Sequence, residues 1–175
     1  MKIIKFKLKS LCPLLMDRFV DIPCKTTEDY KKAAEKKVYR DEKGYLAIEA
    51  KAIKAVIREA ASDLGKKTEA RKRRDEIKAC LFVSPPFLSM KKKDFDGIAE
   101  HIVTRGKGEK VTRVITYRPQ INEWEVEGII EITGSLTPEF VKQALEYGGI
   151  RKGLYGFRPE YGRFEVIKWE VKDGR

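Results

Sequence analysis

Cysteine, histidine and long apolar runs are all scarce in this sequence, and each scarcity closes a class of function. The three cysteines, Cys12, Cys24 and Cys80, form no close-spaced pair and are odd in number. That excludes a disulfide framework and predicts reduced thiols. The single histidine, His101, does not join them in any metal-ligand spacing, so neither a metal nor another cofactor is expected. Asp94 and Asp96 read more simply as a solvated acidic turn than as a magnesium site. No phosphate-binding loop, nucleophile elbow or zinc-protease helix is present. No apolar run approaches a membrane span. The first apolar residues are interrupted by Lys2, Lys5, Lys7 and Lys9, so there is no signal-peptide core and a cytoplasmic location is expected. Glutamine and asparagine are sparse, and there is no repeat or low-complexity tract.

What is abundant is positive charge. The 175 residues hold 38 Lys+Arg against 27 Asp+Glu, a formal net charge of +11. Such an excess favours a polyanionic partner, with nucleic acid ahead of an anionic membrane. With 42% hydrophobic residues the chain has enough apolar material for one domain over 1–175.

Residues 2–9 alternate, with Ile4, Phe6 and Leu8 on one side and Lys5, Lys7 and Lys9 on the other. This is a half-buried strand whose second face is basic. Residues 13–44 read as an excursion. Within it, Thr26 and Asp29 form a capping box for a short helix, and Val38–Arg40 and Tyr45–Ile48 flank a glycine turn as a small hairpin. From Ala50 to Leu64 the positions Ile53, Val56, Ile57, Ala60 and Leu64 recur at helical spacing, with Lys51, Lys54 and Arg58 outside. The run 66–75 holds Arg71, Arg73 and Arg74; it is either a solvated helix face or a phosphate-contacting segment. A short strand over Ala79–Val83 follows. Residues 84–110 form a second insertion with a turn at Arg105-Gly-Lys107-Gly, either a plain hairpin tip or a basic finger.

Residues 123–133 oppose Trp124, Val126, Ile130 and Ile132 to Glu123, Glu125, Glu127 and Glu131. The acidic face is expected to pair with the neighbouring arginine-bearing strand or to cover surface away from an anion. Thr137, Pro138 and Glu139 start a helix that Gly148 is expected to stop, and Phe164–Val171 closes the chain as a strand. The order predicts an α+β fold of the ferredoxin-like β-α-β-β-α-β plan, elaborated by the two insertions.

Between the last helix and the last strand lies Gly148–Phe164, with five glycines, four basic residues and four aromatics. Two readings stand: a helix-to-strand loop with tight turns, or a ligand loop. In the second, Arg151, Lys152, Arg158 and Arg163 grip phosphates while Tyr155, Phe157 or Tyr161 stack on bases. His101 is either a strand residue or the general acid/base of a metal-independent endoribonuclease.

These elements resemble the RAMP superfamily, the RNA-recognition-motif-like proteins of CRISPR effector complexes. The closer likeness is to short single-module phage and mobile-element proteins of the same plan. The resemblance is carried by the basic first strand running into Ser10-Leu-Cys-Pro, the helix entry Ile48–Lys51, Tyr117-Arg-Pro with Glu123-Trp124, and Gly156-Phe-Arg-Pro-Glu-Tyr-Gly-Arg-Phe. It implies one RRM-like module that binds single-stranded RNA or DNA along a basic groove and assembles with itself or with other nucleoprotein subunits. The site residues it marks are Lys7, Lys9, Ser10, Lys51, Lys54, Arg151, Lys152, Arg158 and Arg163. The 13–44 excursion and the hairpin bearing Arg105 and Lys107 take the place of thumb and finger. Two modules are usual in the superfamily's processing nucleases and the cleaving carboxylates have no match here, so the expectation is binding without catalysis. A protein-interaction subunit, such as a mimic of an effector subunit, is the other alternative.

Overall fold

A computed structural model describes residues 1–106, 108 and 111–173, with Arg105 described in its backbone only. The central sheet has the order β4-β8-β1-β9, every neighbouring pair antiparallel. Its strands are β1 (Lys2–Ser10), β4 (Leu81–Ser84), β8 (Glu125–Ile132) and β9 (Phe164–Asp173). Helices α2 (Ala50–Asp63) and α4 (Pro138–Arg151) pack on one face of this sheet, and α3 (Ala70–Cys80) packs against α2. The arrangement is compatible with a ferredoxin-like α+β fold.

The core follows from the alternation in β1. Ile4, Phe6 and Leu8 are buried and meet Ile53, Val56 and Ile57 of α2, Val141 and Leu145 of α4, and Val126 and Ile130 of β8. Removing apolar side chains of this size from water contributes about 1.5–3 kcal/mol each.

Two smaller sheets carry the insertions. β2 (Leu14–Leu15), β7 (Thr112–Ile121) and β6 (Gly97–Arg105) form one, with β6 and β7 a long hairpin. β3 (Ala47–Glu49) and β5 (Phe87–Ser89) form the other. Helix α1 (Thr27–Glu35) lies over β7, its start fixed by the Thr26–Asp29 capping box.

Several local expectations change. The hairpin around Gly44 keeps its turn, but Arg40 and Leu46 make only one bridge, because the strand after the turn takes β5 as its partner. The basic run after Gly65 is helical, so α3 ends at Cys80 and the strand after it starts at Leu81. The acidic face of β8 meets lysines, not arginines: Glu125 lies opposite Lys9 and Glu127 opposite Lys7, since the arginine-bearing β7 leaves for the second sheet. Helix α4 runs through Gly148 to Arg151, and Gly153 supplies the left-handed residue beyond its end.

Asp96 joins the start of β6 to the turn after β7. Its carboxylate accepts from Lys92 Nζ at 2.6 Å and from the Asn122 backbone N–H at 2.7 Å. The Lys92 hydrogen bond, then the Asn122 N–H, hold the Asp96 carboxyl below its ordinary 3.8. A lowered carboxylate pKa contributes stability that is complete above the ordinary value and disappears as pH falls through the folded value. The Asp96→Asn variant should therefore be less stable than wild type at pH 7 and lose less melting temperature on acidification. Thermal unfolding between about pH 5 and about pH 2.5 measures both.

Candidate nucleic-acid interface

The glycine-rich stretch is tied to the exit of β1 by backbone hydrogen bonds. Leu11 N–H donates to the Arg163 carbonyl at 2.9 Å, Gly162 N–H to Pro13 at 2.8 Å, and Gly156 N–H to Leu15 at 3.1 Å. Glycine is required where the chain crosses itself this closely. Gly162 has φ +76, and a Cβ there would stand 2.1 Å from the Leu154 carbonyl oxygen. At Gly156 a Cβ would stand 2.1 Å from Arg118 Nη1.

Arg118, on β7, organises the contact between this stretch and the β6–β7 hairpin. Its guanidinium lies 4.6 Å from the centre of the Phe157 ring and pairs with Asp17 at 2.9 Å. The other side of the junction is His101. Its ring lies 4.3 Å from that of Phe157 and edge-on to that of Tyr161 at 5.4 Å, with Nε2 buried and unpartnered. Tyr155 points inward, stacks on Tyr39 at 5.4 Å, and accepts the Glu49 N–H on its hydroxyl at 2.9 Å. Burial pushes its phenol far above the ordinary 10.0. Of the three aromatics expected to stack on bases, Tyr155 packs within the protein, while Phe157 and Tyr161 are half-buried beside His101.

The cations of the stretch divide. Lys152 pairs with Asp63 at 2.5 Å and Arg158 with Glu59 at 3.2 Å, both carboxylates on α2. The Arg163 backbone N–H donates to Cys12 Sγ at 3.2 Å, and its guanidinium Nε is buried without a partner. Arg151 is exposed. On β1, Lys7 pairs with Glu125 at 2.6 Å, and that hydrogen bond raises its pKa above 10.5. Ser10 Oγ accepts the Trp124 N–H at 3.1 Å and fixes the strand's exit. Lys9 is exposed but lies opposite Glu125 and Glu165. On the open face of the sheet, the lysines at 5, 7, 9, 168 and 172 face the glutamates at 125, 127, 131, 165 and 170, five against five. Among these strand residues the charges balance, and Lys91 also reaches Glu127 at 3.2 Å.

The excess lies elsewhere. Residues 50–80 hold ten cations, at 51, 54, 58, 66, 67, 71, 72, 73, 74 and 78, against five carboxylates, at 59, 63, 69, 75 and 76. All five carboxylates are engaged. Besides Glu59 and Asp63, Glu69 takes Arg73, Asp75 lies 3.9 Å from Arg71, and Glu76 accepts from Ser135. Arg73 is largely buried, donating to the Ala61 and Lys66 carbonyls at 2.8 and 2.7 Å. Lys54 donates to the Lys78 carbonyl at 2.9 Å over the Phe82 ring, and burial lowers its pKa from 10.5. Lys51, Lys66, Lys67, Lys72, Arg74 and Lys78 are exposed and, among the described residues, have no carboxylate partner. Lys66, Lys67 and Lys72 lie in the 66–75 run that the sequence marks without being named in it, and Lys78 lies beyond that run. Helical spacing puts both Arg73 and Arg74 beside the row of Ala70 and Ile77, and it is the bonds of Arg73 to the Ala61 and Lys66 carbonyls that turn it inward while Arg74 stays exposed. Lys107 lies outside the described residues, as does the side chain of Arg105.

No protein-family model matches the chain, and no curated protein matches it. Among solved structures, it is similar to a chain of the type III-B Cmr-beta complex bound to cognate target RNA. The TM-score is 0.58 at 16% identity, over 97% of this chain and 60% of that one. A Cas6 product complex aligns with TM-score 0.36 at 11% identity, over 93% of this chain and 50% of that one, an overlap too slight to build on. This chain spans about three fifths of the Cmr-beta chain, and what the two share is the fold.

Three substitutions separate packing from binding in the glycine stretch. Gly162→Ala should cost more than about 2 kcal/mol in chemical denaturation, because the crowding atom is backbone and φ is positive. Tyr155→Phe leaves the Glu49 N–H without its acceptor and should cost about 1–2 kcal/mol. Tyr155→Leu removes the ring itself; any affinity of the folded variant for single-stranded RNA, measured by fluorescence anisotropy, should stay within about twofold of wild type, and a large drop would restore base stacking to Tyr155.

Proposed function

We propose that this chain is a non-catalytic, single-stranded RNA-binding protein of the RAMP type that holds phosphates along the exposed face of α2 and α3. The observation that carries this reading is the charge distribution. Ten cations face five carboxylates that are already engaged, while the strand residues on the open face of the sheet are balanced. Unpartnered lysines and arginines on one surface give sequence-tolerant, salt-dependent binding. Lys51, Arg71, Arg74 and Arg151 from the sequence reading contribute, joined by Lys66, Lys67, Lys72 and Lys78. Lys54 and Arg73 act by fixing the helices against each other.

The fold supports the same reading. β1, α2, β4, β8, α4 and β9 make one β-α-β-β-α-β module, with 13–44 and 84–110 as insertions. The similar Cmr-beta chain comes from a complex bound to target RNA, which favours RNA over DNA and a place in a multi-subunit nucleoprotein. The endoribonuclease alternative needs an accessible imidazole, whereas Nε2 of His101 is buried between Phe157 and Tyr161. We therefore assign His101 to packing.

The combined variant Arg71→Glu, Arg74→Glu and Lys78→Glu should weaken binding to single-stranded RNA about tenfold to a hundredfold at low salt. It should also flatten the dependence of log affinity on log salt by about two to three units. Anisotropy titrations at several salt concentrations measure both, and an unchanged slope would remove α3 from the interface. Labelled RNA incubated in EDTA should be bound and remain intact.

A further inference from the structure

One long edge of the central sheet is left uncovered. β9 is its terminal strand, ten residues long against four for β4 at the other edge, and among the described residues no strand pairs with its outer side. Toward its end its apolar side chains are only partly covered by the chain. Ile167 is 45% exposed, Val171 is 44% exposed, and Trp169 is half-buried. Monomeric proteins avoid such an edge by keeping it short, charged, bulged or broken by proline. β9 is long and has no proline; its protection is limited to the charges of Lys168, Glu170 and Lys172 and to one register shift against β1 at Ile167.

The sequence of this edge is complementary to itself. Ile167-Lys168-Trp169-Glu170-Val171 is apolar, charged, aromatic, charged and apolar, with the charge reversed about Trp169. Two copies placed antiparallel and centred on Trp169 bring Ile167 opposite Val171, Lys168 opposite Glu170, and Trp169 opposite itself. The faces agree as well. Trp169 and Val171 lie beside Phe6 and Ile4 on the helix side of the sheet, whereas Lys168 and Glu170 lie beside Lys7 and Lys5 on the open side. Pairing would therefore continue the core on one face and the ladder of ion pairs on the other. Within one strand Lys168 Nζ is 3.1 Å from Glu170, so the same two charges exchange an internal partner for the copy's.

We propose that the β9 edge is the interface of a two-fold symmetric dimer, in which a second copy of this chain adds its own β9 antiparallel to the first and the two sheets become one. A strand from an unrelated protein has no reason to match a charge pattern that inverts about its own centre, whereas an isologous interface requires it. The dimer does not depend on the RNA-binding face on α2 and α3.

Sedimentation of the full chain, freed of nucleic acid, should show a dimer that dissociates at or below about 100 µM. Lys168→Glu sets two pairs of glutamates against each other across the interface, and Glu170→Lys sets two pairs of lysines against each other. Each should weaken the dimer about tenfold or more, with melting temperature recorded to show that the fold is retained. The double variant restores opposite charges and should return the dissociation constant to within about threefold of wild type. A wild-type chain that stays monomeric overturns the proposal, as does an association that the single variants leave unchanged. A double variant as weak as either single overturns it too, because the rescue belongs to this register alone.

Discussion

The backbone crossing between residues 11–15 and 154–163 is the constraint on which the rest of the molecule depends. Three of its hydrogen bonds, from Leu11, Gly156 and Gly162, tie the end of β1 to the approach to β9. That crossing holds the central sheet and the β6–β7 hairpin in one body, because Leu15 pairs with β7 and Phe157 packs on His101 and Arg118. Such a crossing leaves little room for side chains, and glycine occupies the tightest places. At Gly149, Gly153 and Gly162 the nearest atom a side chain would meet is the protein's own backbone.

Much of the fold is legible in the sequence because it rests on periodicity and capping. The alternation in β1 and β8, the 3.6-residue period of α2, and the caps of α1 and α4 each come from residues near one another in the chain. The balanced ion pairs of the open face are less legible. Lysine beside glutamate is visible only once β1 is known to lie between β8 and β9, and that order is a long-range fact.

The proposed site is legible in kind but only partly in place. A net charge of +11 is visible in composition, but which cations are free depends on where the carboxylates stand. Lys152 and Arg158 look like phosphate ligands until Asp63 and Glu59 are placed beside them. Tyr155 looks like a stacking platform until its hydroxyl meets the Glu49 N–H, 106 residues away. A basic residue next to an aromatic residue has the same local signature whether it faces a base or a helix. Only tertiary packing separates the two.

The position of β1 also has a consequence for the order in which the chain acquires structure. It is made before its partners β8 and β9, and Lys2 meets Asp173 across 171 residues of chain. During synthesis the Ile4, Phe6 and Leu8 row must wait for both β8 and β9 before it is flanked on both sides. Helix α2 waits as well, since its entry is held by Tyr155. Contacts this distant in sequence make for slow folding, because the entropy of closing the intervening loops is lost before the contacts form. The lysines that alternate along β1 therefore have a second use: they keep an unpaired strand soluble until the chain that completes its sheet has been made.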